Sequence, residues 1–464
     1  MSWQLWKIAA SRDTSKVFAL LSNGSDHLTV VFEYNADSTQ RLESQVYLDL
    51  CALDDHQPTC FFPNKPAICS AAVKAVESVC ADGRETTRRA LQPGQILQIS
   101  TADGTLCGSL VDRSAEFAAF CSSLKQPAAL LGQDPGAAKS LPDVVGLEVV
   151  RGEEPFQSYR GACMKVSLSK NPKEFLVFKG VTFFDYLQLG PESFQYHLAA
   201  CYREIHMINT ALQQHPNIMP PPKALVVMTS SSDGATEQLV NGSIYPIYKN
   251  GSLSALLNKA REEKYRISVE RKAKWCSQLA SVMHHVHFVA RVWHQDLKPP
   301  NMLLDDADNI LVIDWEQCGA NSFVLAPEAN GAYDVVTDVE GIEDRRALRY
   351  TAYNGPRRVN DPIAIPEWNV FPHWVKECPD AVELAEVYSL GKTMWLILEQ
   401  VKAGHEDGKE DYTSESVRWS DWSEDIPQSW KGMVRRCIEA DPNSRVRLKE
   451  LCEFWEDQLH KLEK

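Results

Sequence analysis

At 464 residues and 52.1 kDa the chain has room for roughly two to four domains. With 44% hydrophobic and 24% charged residues it can bury enough apolar surface to offset chain entropy, which excludes wholesale disorder and a disulfide-stapled miniprotein. The 48 Lys+Arg against 62 Asp+Glu leave a formal charge of -14, which disfavours general nucleic-acid or anionic-membrane binding.

No segment reaches the roughly 18 consecutive apolar residues of a membrane span, and the start, MSWQLWKIAASRD, is broken by Lys7, Arg12 and Asp13 before a signal-peptide core develops. The 13 cysteines are scattered and show no C-x-x-C spacing, as expected of thiols in a reducing compartment. The expectation is an intracellular protein, cytoplasmic or nuclear, with no membrane span.

In chain order, strand-like runs at Val17 to Leu21, Leu28 to Tyr34 and Val46 to Leu50, with a helical stretch around Ala71 to Cys80, predict a small α+β domain over 1–125. Nothing in it assigns a role. From Gln126 to Asp143 three prolines and two glycines defeat both periodicities, so 126–143 reads as a linker. Strands follow, among them EFLVFKG ending at Gly180, around a helix predicted over Ser193 to Gln214 from Leu198, Ile205, Ile208 and Leu212. After Leu225 to Met228 comes SIYPIYKNGSL, Ser243 to Leu253, a strand and turn, and from Ser252 helices dominate. Eight of the twelve tryptophans lie at or after Trp315, enough bulk for a substantial core. Lys402 to Asp425, with eight acidic and three basic side chains, reads as a solvated loop.

The most informative stretch is His294-Gln-Asp-Leu-Lys-Pro-Pro-Asn301, followed by ILVIDWE, Ile310 to Glu316. Asn301 stands five residues after Asp296 and thirteen before Asp314. Moving a phosphoryl group requires divalent metal on oxygen ligands and a carboxylate to orient the attacking hydroxyl. Two carboxylates about 4 Å apart repel by roughly 4 kcal/mol at an effective dielectric of ~20, so a pair converging on one site calls for a cation. Letters and spacing together resemble the H-R-D-L-K-P-x-N loop and D-F-G of eukaryotic protein kinases of serine/threonine type. A divergent fungal branch with D-W-E is similar.

The resemblance implies an α+β, two-lobed kinase fold behind the small N-terminal domain, with an N-lobe over 144–251 and a C-lobe over 252–464. It implies Asp296 on the hydroxyl, Lys298 on the transferred phosphate, and Asn301 and Asp314 on magnesium. Lys179 takes the place of the V-A-I-K lysine on the ATP phosphates, and Glu204, shortly before His215-Pro-Asn-Ile218, that of its helix partner. Alignment on Asn250-Gly-Ser-Leu253 makes Tyr245 the gatekeeper and Ile247 a hinge contact to adenine. Val387-Tyr-Ser-Leu-Gly391 resembles V-W-S-L-G of the central C-lobe helix, and Asp441-Pro-Asn-Ser-Arg445 the D-P-x-x-R near the domain end.

Departures are equally specific. The segment VVRGEEPFQSYRGACMK keeps only Gly152 and Gly161 of G-x-G-x-x-G, which leaves room for a pseudokinase scaffold binding nucleotide or partners without catalysis. Gln295 replaces the arginine that clamps an activation-loop phosphate in many kinases. Trp315 and Glu316 replace Phe and Gly, filling the pocket behind the metal. Glu386 stands where an Asp usually begins the central-helix motif. Ala326-Pro-Glu328 has the letters of A-P-E but lies 58 residues before Glu386, whereas Glu367 lies 19 before it, so Glu367 is the expected partner of Arg445. About 321–361 is then a long excursion with five arginines, read as a solvated loop. A protein substrate is implied. The alternative of a small-molecule phosphotransferase, of aminoglycoside or choline kinase type, shares H-x-D-x-x-x-x-N and I-D-W-E but not Lys298-Pro299.

Overall fold

Apolar side chains at every position from Val17 to Leu21 mark a strand covered on both faces, and this run lies on an interior strand of the first sheet. The computed structural model describes residues 4–11, 16–23, 26–33, 74, 94–102, 105–132, 142–147, 150–152, 163–232, 235–317, 323–338, 347–356, 358, 369–401 and 417–462. The strand expected at 46–50, most of the helix at 71–80, residue 367 and most of the acidic 402–425 stretch lie outside them. The architecture is mixed α+β, with several small sheets, and the chain divides into two compact units, 1–201 with 222–247 and 202–221 with 248–464.

The first unit holds two sheets. Strands β1 (Gln4–Ser11), β2 (Lys16–Asn23), β3 (Asp26–Glu33), β4 (Gln95–Ala102) and β5 (Thr105–Asp112) form one in sequence order, antiparallel except for the β3–β4 pair. Helix α1 (Ser114–Ser123) and the short α2 (Pro127–Leu131) follow. The second sheet is built from β6 (Val144–Gly146), β7 (Val150–Gly152), β8 (Cys163–Leu168), β9 (Asn171–Gly180), β10 (Ala224–Ser232) and β11 (Ala235–Pro246), in the order β6-β10-β11-β9-β8-β7.

One core serves both sheets. Phe18, Leu20, Val31 and Ile96 of the first pack with Met164, Val166, Leu176, Phe178, Val226 and Ile244 of the second and with Phe184. Phe117 and Phe120 of α1 stand 5.1 and 5.8 Å from the Phe183 ring. The segment expected as a linker is tied down at its start, where Val240 N donates to Lys125 O at 2.8 Å and Gln126 Nε2 to Glu237 Oε1 at 3.1 Å. The first five strands therefore share a unit and a core with the six-stranded sheet.

Helix α3 (Phe183–His206) starts ten residues before the expected Ser193. Gly190, at φ +75°, and Pro191 break the pattern that periodicity reads, and the helix resumes beyond this kink. A π turn, Met207–Ala211, ends it.

The second unit is mainly helical. Ser252 and Ser268 cap α4 (Leu253–Glu262) and α5 (Val269–His285) by accepting from Ala255 N and Arg271 N. A π turn, Val286–Ala290, leads to the hairpin β12 (Met302–Leu304) and β13 (Ile310–Val312). A second hairpin, β14 (Tyr333–Asp338) and β15 (Ala347–Ala352), precedes α6 (Phe371–Glu377), α7 (Pro379–Glu399), α8 (Gln428–Cys437) and α9 (Leu448–Leu462). Trp275, Trp315, Trp374, Trp430 and Trp455 are its largest wholly buried side chains. No described helix is long and apolar enough to cross a membrane.

Candidate functional site

The centre of the second unit is α7, buried along nearly its whole length, several of whose polar side chains bond the backbone of neighbouring segments. Glu386 Oε1 accepts from His294 N at 2.8 Å and Gln295 N at 2.6 Å, while Oε2 lies 2.6 Å from His287 Nε2. Two turns further along the same face, Thr393 Oγ1 donates to Leu297 O at 2.8 Å. The loop 294–297 is thus clamped to one side of a rigid rod, as a site built on loop residues needs.

Within that loop His294 is a strut. Its Nδ1 accepts from Asp296 N at 3.2 Å, so the proton sits on Nε2, which donates to Ile313 O at 2.9 Å. The ring also meets Trp315 edge to face, centroids 4.6 Å apart, and Trp315 Nε1 donates to Val312 O. The bulky residue in place of Phe is therefore wholly buried and polar-satisfied.

Three expected residues meet directly. Asp296 Oδ2 is 2.6 Å from Lys298 Nζ and accepts from Asn301 Nδ2 at 3.0 Å, and the same amide donates to Asp296 O at 2.9 Å. With Nδ2 committed to Asp296, Oδ1 is the atom of Asn301 that a cation would take. Ile313 N donates to Asn301 O at 3.0 Å, which brings the residue before Asp314 alongside Asn301.

Asp314, at φ +70°, is joined by two more acids. Oxygens of Glu204, Asp314 and Glu316 all lie within 4.8 Å of one another, with Glu204 buried. Arg203 NH1 donates to Gln317 O at 3.1 Å, tying the end of α3 to this turn. A hard divalent cation with oxygen ligands fits such a donor set. Glu316, the third letter of D-W-E, is a member of this set that the pocket-filling expectation did not include. Beside the hairpin, Asn217 Nδ2 donates to Ile310 O and Met219 N to Val312 O, which anchors the His215–Ile218 segment. Burial, then the neighbouring His285, lowers the His215 imidazole to about 4, so this strut is neutral near pH 7.

The remaining expected residues belong to the first unit. Lys179 lies on β9, opposite Cys163 of β8 and Ser243 of β11, on the face opposite the core residue Phe178. Next to it Gly180 and Gly242 face each other, and a Cβ on Gly180 would stand 2.4 Å from Asn241 O. Tyr245 is buried on β11 opposite Val177, and Ile247 is the last residue of that unit.

Two expectations are overturned: the 321–361 excursion, expected as a solvated loop, carries the β14–β15 hairpin with Val335 and Leu348 buried, and the partner of Arg445 is not the one expected. The carboxylate on Arg445 is Glu328, not Glu367: NH1 and NH2 meet Oε1 and Oε2 at 2.5 and 2.9 Å, and both side chains are buried. The reason is the hairpin that intervenes. The β14–β15 hairpin lies between Glu328 and Glu386, lengthening that count without moving the pair, so spacing alone pointed to the wrong glutamate. Three supporting residues carried no local signal: His287 on Glu386, Asn369 on Gln295 of the 294–297 loop, and Gln317 at φ +54°. Compared with known proteins, the chain matches no family model and no curated protein.

Proposed function

We propose that the chain is an ATP- and magnesium-dependent protein kinase of serine/threonine type, with its two units as the lobes of that fold. The observation that carries this reading is the Asp296–Lys298–Asn301 cluster with Asn301 hydrogen-bonded beside Asp314. Asp296 would orient the substrate hydroxyl and take its proton, and Lys298 would hold the transferred phosphate as a point charge. Asn301 and Asp314, with Glu316, would hold magnesium, which supplies neutralisation of the charge spread over the phosphoryl oxygens. Lys179, in the place of the V-A-I-K lysine, would bind the ATP phosphates, Glu204 stands in the place of that lysine's helix partner in the resemblance, and Tyr245 and Ile247 would bind the adenine. The buried Glu328–Arg445 pair supports the protein-kinase form of the reading.

A second reading, a small-molecule phosphotransferase, is favoured by one observation: Glu316 of I-D-W-E stands with Glu204 and Asp314. A third, a pseudokinase, draws on the two-glycine segment of 149–165. Transfer of γ-phosphate from ATP with magnesium, to proteins and to small hydroxyl compounds, separates the three. Wild type should label protein, and Asp296→Ala should lower the rate by about 100-fold or more. Labelling of small hydroxyl compounds alone selects the second reading, and no labelling above the mutant removes both enzyme readings.

A further inference from the structure

Four neutral groups link the segment before Asp296 to the turn after Asp314. Asn369 Nδ2 donates to Gln295 Oε1 at 2.7 Å and to Gln317 O at 3.3 Å, and Gln317 Nε2 donates to Trp293 O at 2.7 Å. Asn369 Oδ1 accepts from Phe371 N at 3.0 Å, which fixes which end of the amide is the donor. The side chains of Gln295, Gln317 and Asn369 are all buried, so water does not compete for these bonds.

The residues so held are the ones whose backbone needs holding. Gln295 sits at φ +76° and Gln317 at φ +54°, left-handed conformations that a side chain bearing a Cβ leaves unless its surroundings over-determine it. Gln295 immediately precedes Asp296, and Gln317 follows Asp314 by three residues, so fixing the two glutamines fixes both carboxylates. Every group in this link is uncharged; Arg203 also donates to Gln317 O and is not a member of it.

We propose that Asn369 is a positioning residue whose carboxamide locks the 293–297 loop to the 314–317 turn, holding Asp296 and Asp314 in register through neutral hydrogen bonds and without a phosphate. The catalytic consequence rests on the kinase reading; the lock itself does not. A neutral lock is indifferent to salt and to phosphatase, and it is permanently engaged.

The test uses the full chain and two readouts. Asn369→Asp sets a carboxylate against Gln295 Oε1 and Gln317 O. Backbone hydrogen exchange should then rise by about tenfold or more in both 293–297 and 314–317 while the rest of the second unit stays protected. In the transfer assay kcat should fall about tenfold with KM for ATP changed less than about threefold, the pattern of a displaced carboxylate rather than lost binding. Adding Gln295→Arg, which can pair with the new carboxylate, should reverse both effects. Asn369→Ala removes the donors without adding charge and is read in parallel in case the charged variant does not fold.

Unchanged exchange in a folded variant would overturn the lock, and so would a rise spread evenly over the second unit, which is the mark of an ordinary core residue. Loss of wild-type rate on phosphatase treatment would overturn its independence of phosphate. If wild type transfers no phosphate, the kinase reading falls and the exchange result alone decides the lock.

Discussion

Lys272 on α5 has no exposed surface, and its Nζ donates to Leu398 O at 2.9 Å, where α7 ends. The carbonyls at a helix C-terminus favour a cation, and Arg266 supplies a second one, donating to Leu398 O and Glu399 O and pairing with Asp425. Burial outweighs this attraction. Desolvation first, then Arg266, lowers the Lys272 amine to about 7, against the opposing pull of Asp425, Cys276 and Glu399. Unfolded, the same amine titrates near 10.5, so between about pH 7 and pH 10.5 the unfolded chain binds the extra proton. Stability therefore rises with pH through that window, and below pH 7 the cost of burying the charge is fully present. Lys272→Met removes the slope: the difference in unfolding free energy between wild type and variant should move by about 3 kcal/mol in favour of wild type from pH 6 to pH 9. Urea unfolding at the two pH values measures it, and parallel pH profiles would show that the amine does not titrate in this window.

Helix α7 shows no apolar stripe because it is buried all round, and its polar residues are legible only through their partners. Glu386, Ser389 and Thr393 recur at helical spacing and serve His294, Gln295, Val324 and Leu297. Removing the Glu386 carboxylate orphans two buried backbone N–H groups and His287 at once. Glu386→Ala should cost about 3 kcal/mol or more in urea unfolding. Glu386→Gln keeps an acceptor for the loop and should cost clearly less; equal losses would mean that the backbone acceptor role is not what matters.

The same helix shows what a sequence can and cannot convey. The meeting of Asp296, Lys298 and Asn301 beside Asp314 is legible because these residues fall within one loop and the hairpin that follows it. The strands at 17–21 and 174–180 are legible from their apolar runs. His287 and Asn369 are not: they act across 99 and 74 residues, where no periodicity links the partners. Glu328 was obscured by the intervening hairpin, and the start of α3 by Gly190-Pro191. Legibility fails wherever a residue's role is set by the tertiary contact it makes.

At the scale of the whole chain, the two units divide the site residues unequally. Lys179, Tyr245 and Ile247 lie in the first, whereas Asp296, Lys298, Asn301 and all three clustered acids lie in the second. Carboxylate oxygens 4.8 Å apart repel by about 3 kcal/mol a pair at an effective dielectric of about 20, so a divalent cation there acts on the second unit alone. Each unit has its own core, and heating should resolve two transitions. Ten of the twelve tryptophans belong to the second, so tryptophan fluorescence follows that unit while circular dichroism follows both. Magnesium or manganese at 100 times its dissociation constant should stabilise the fluorescence-detected transition by about 2.7 kcal/mol and leave the other in place. Glu316→Gln should weaken this shift and Asp314→Asn should abolish it, because each removes a charged oxygen donor from the set. Metal that moves both transitions alike, or a shift that survives Asp314→Asn, would place the cation somewhere other than beside Asp314.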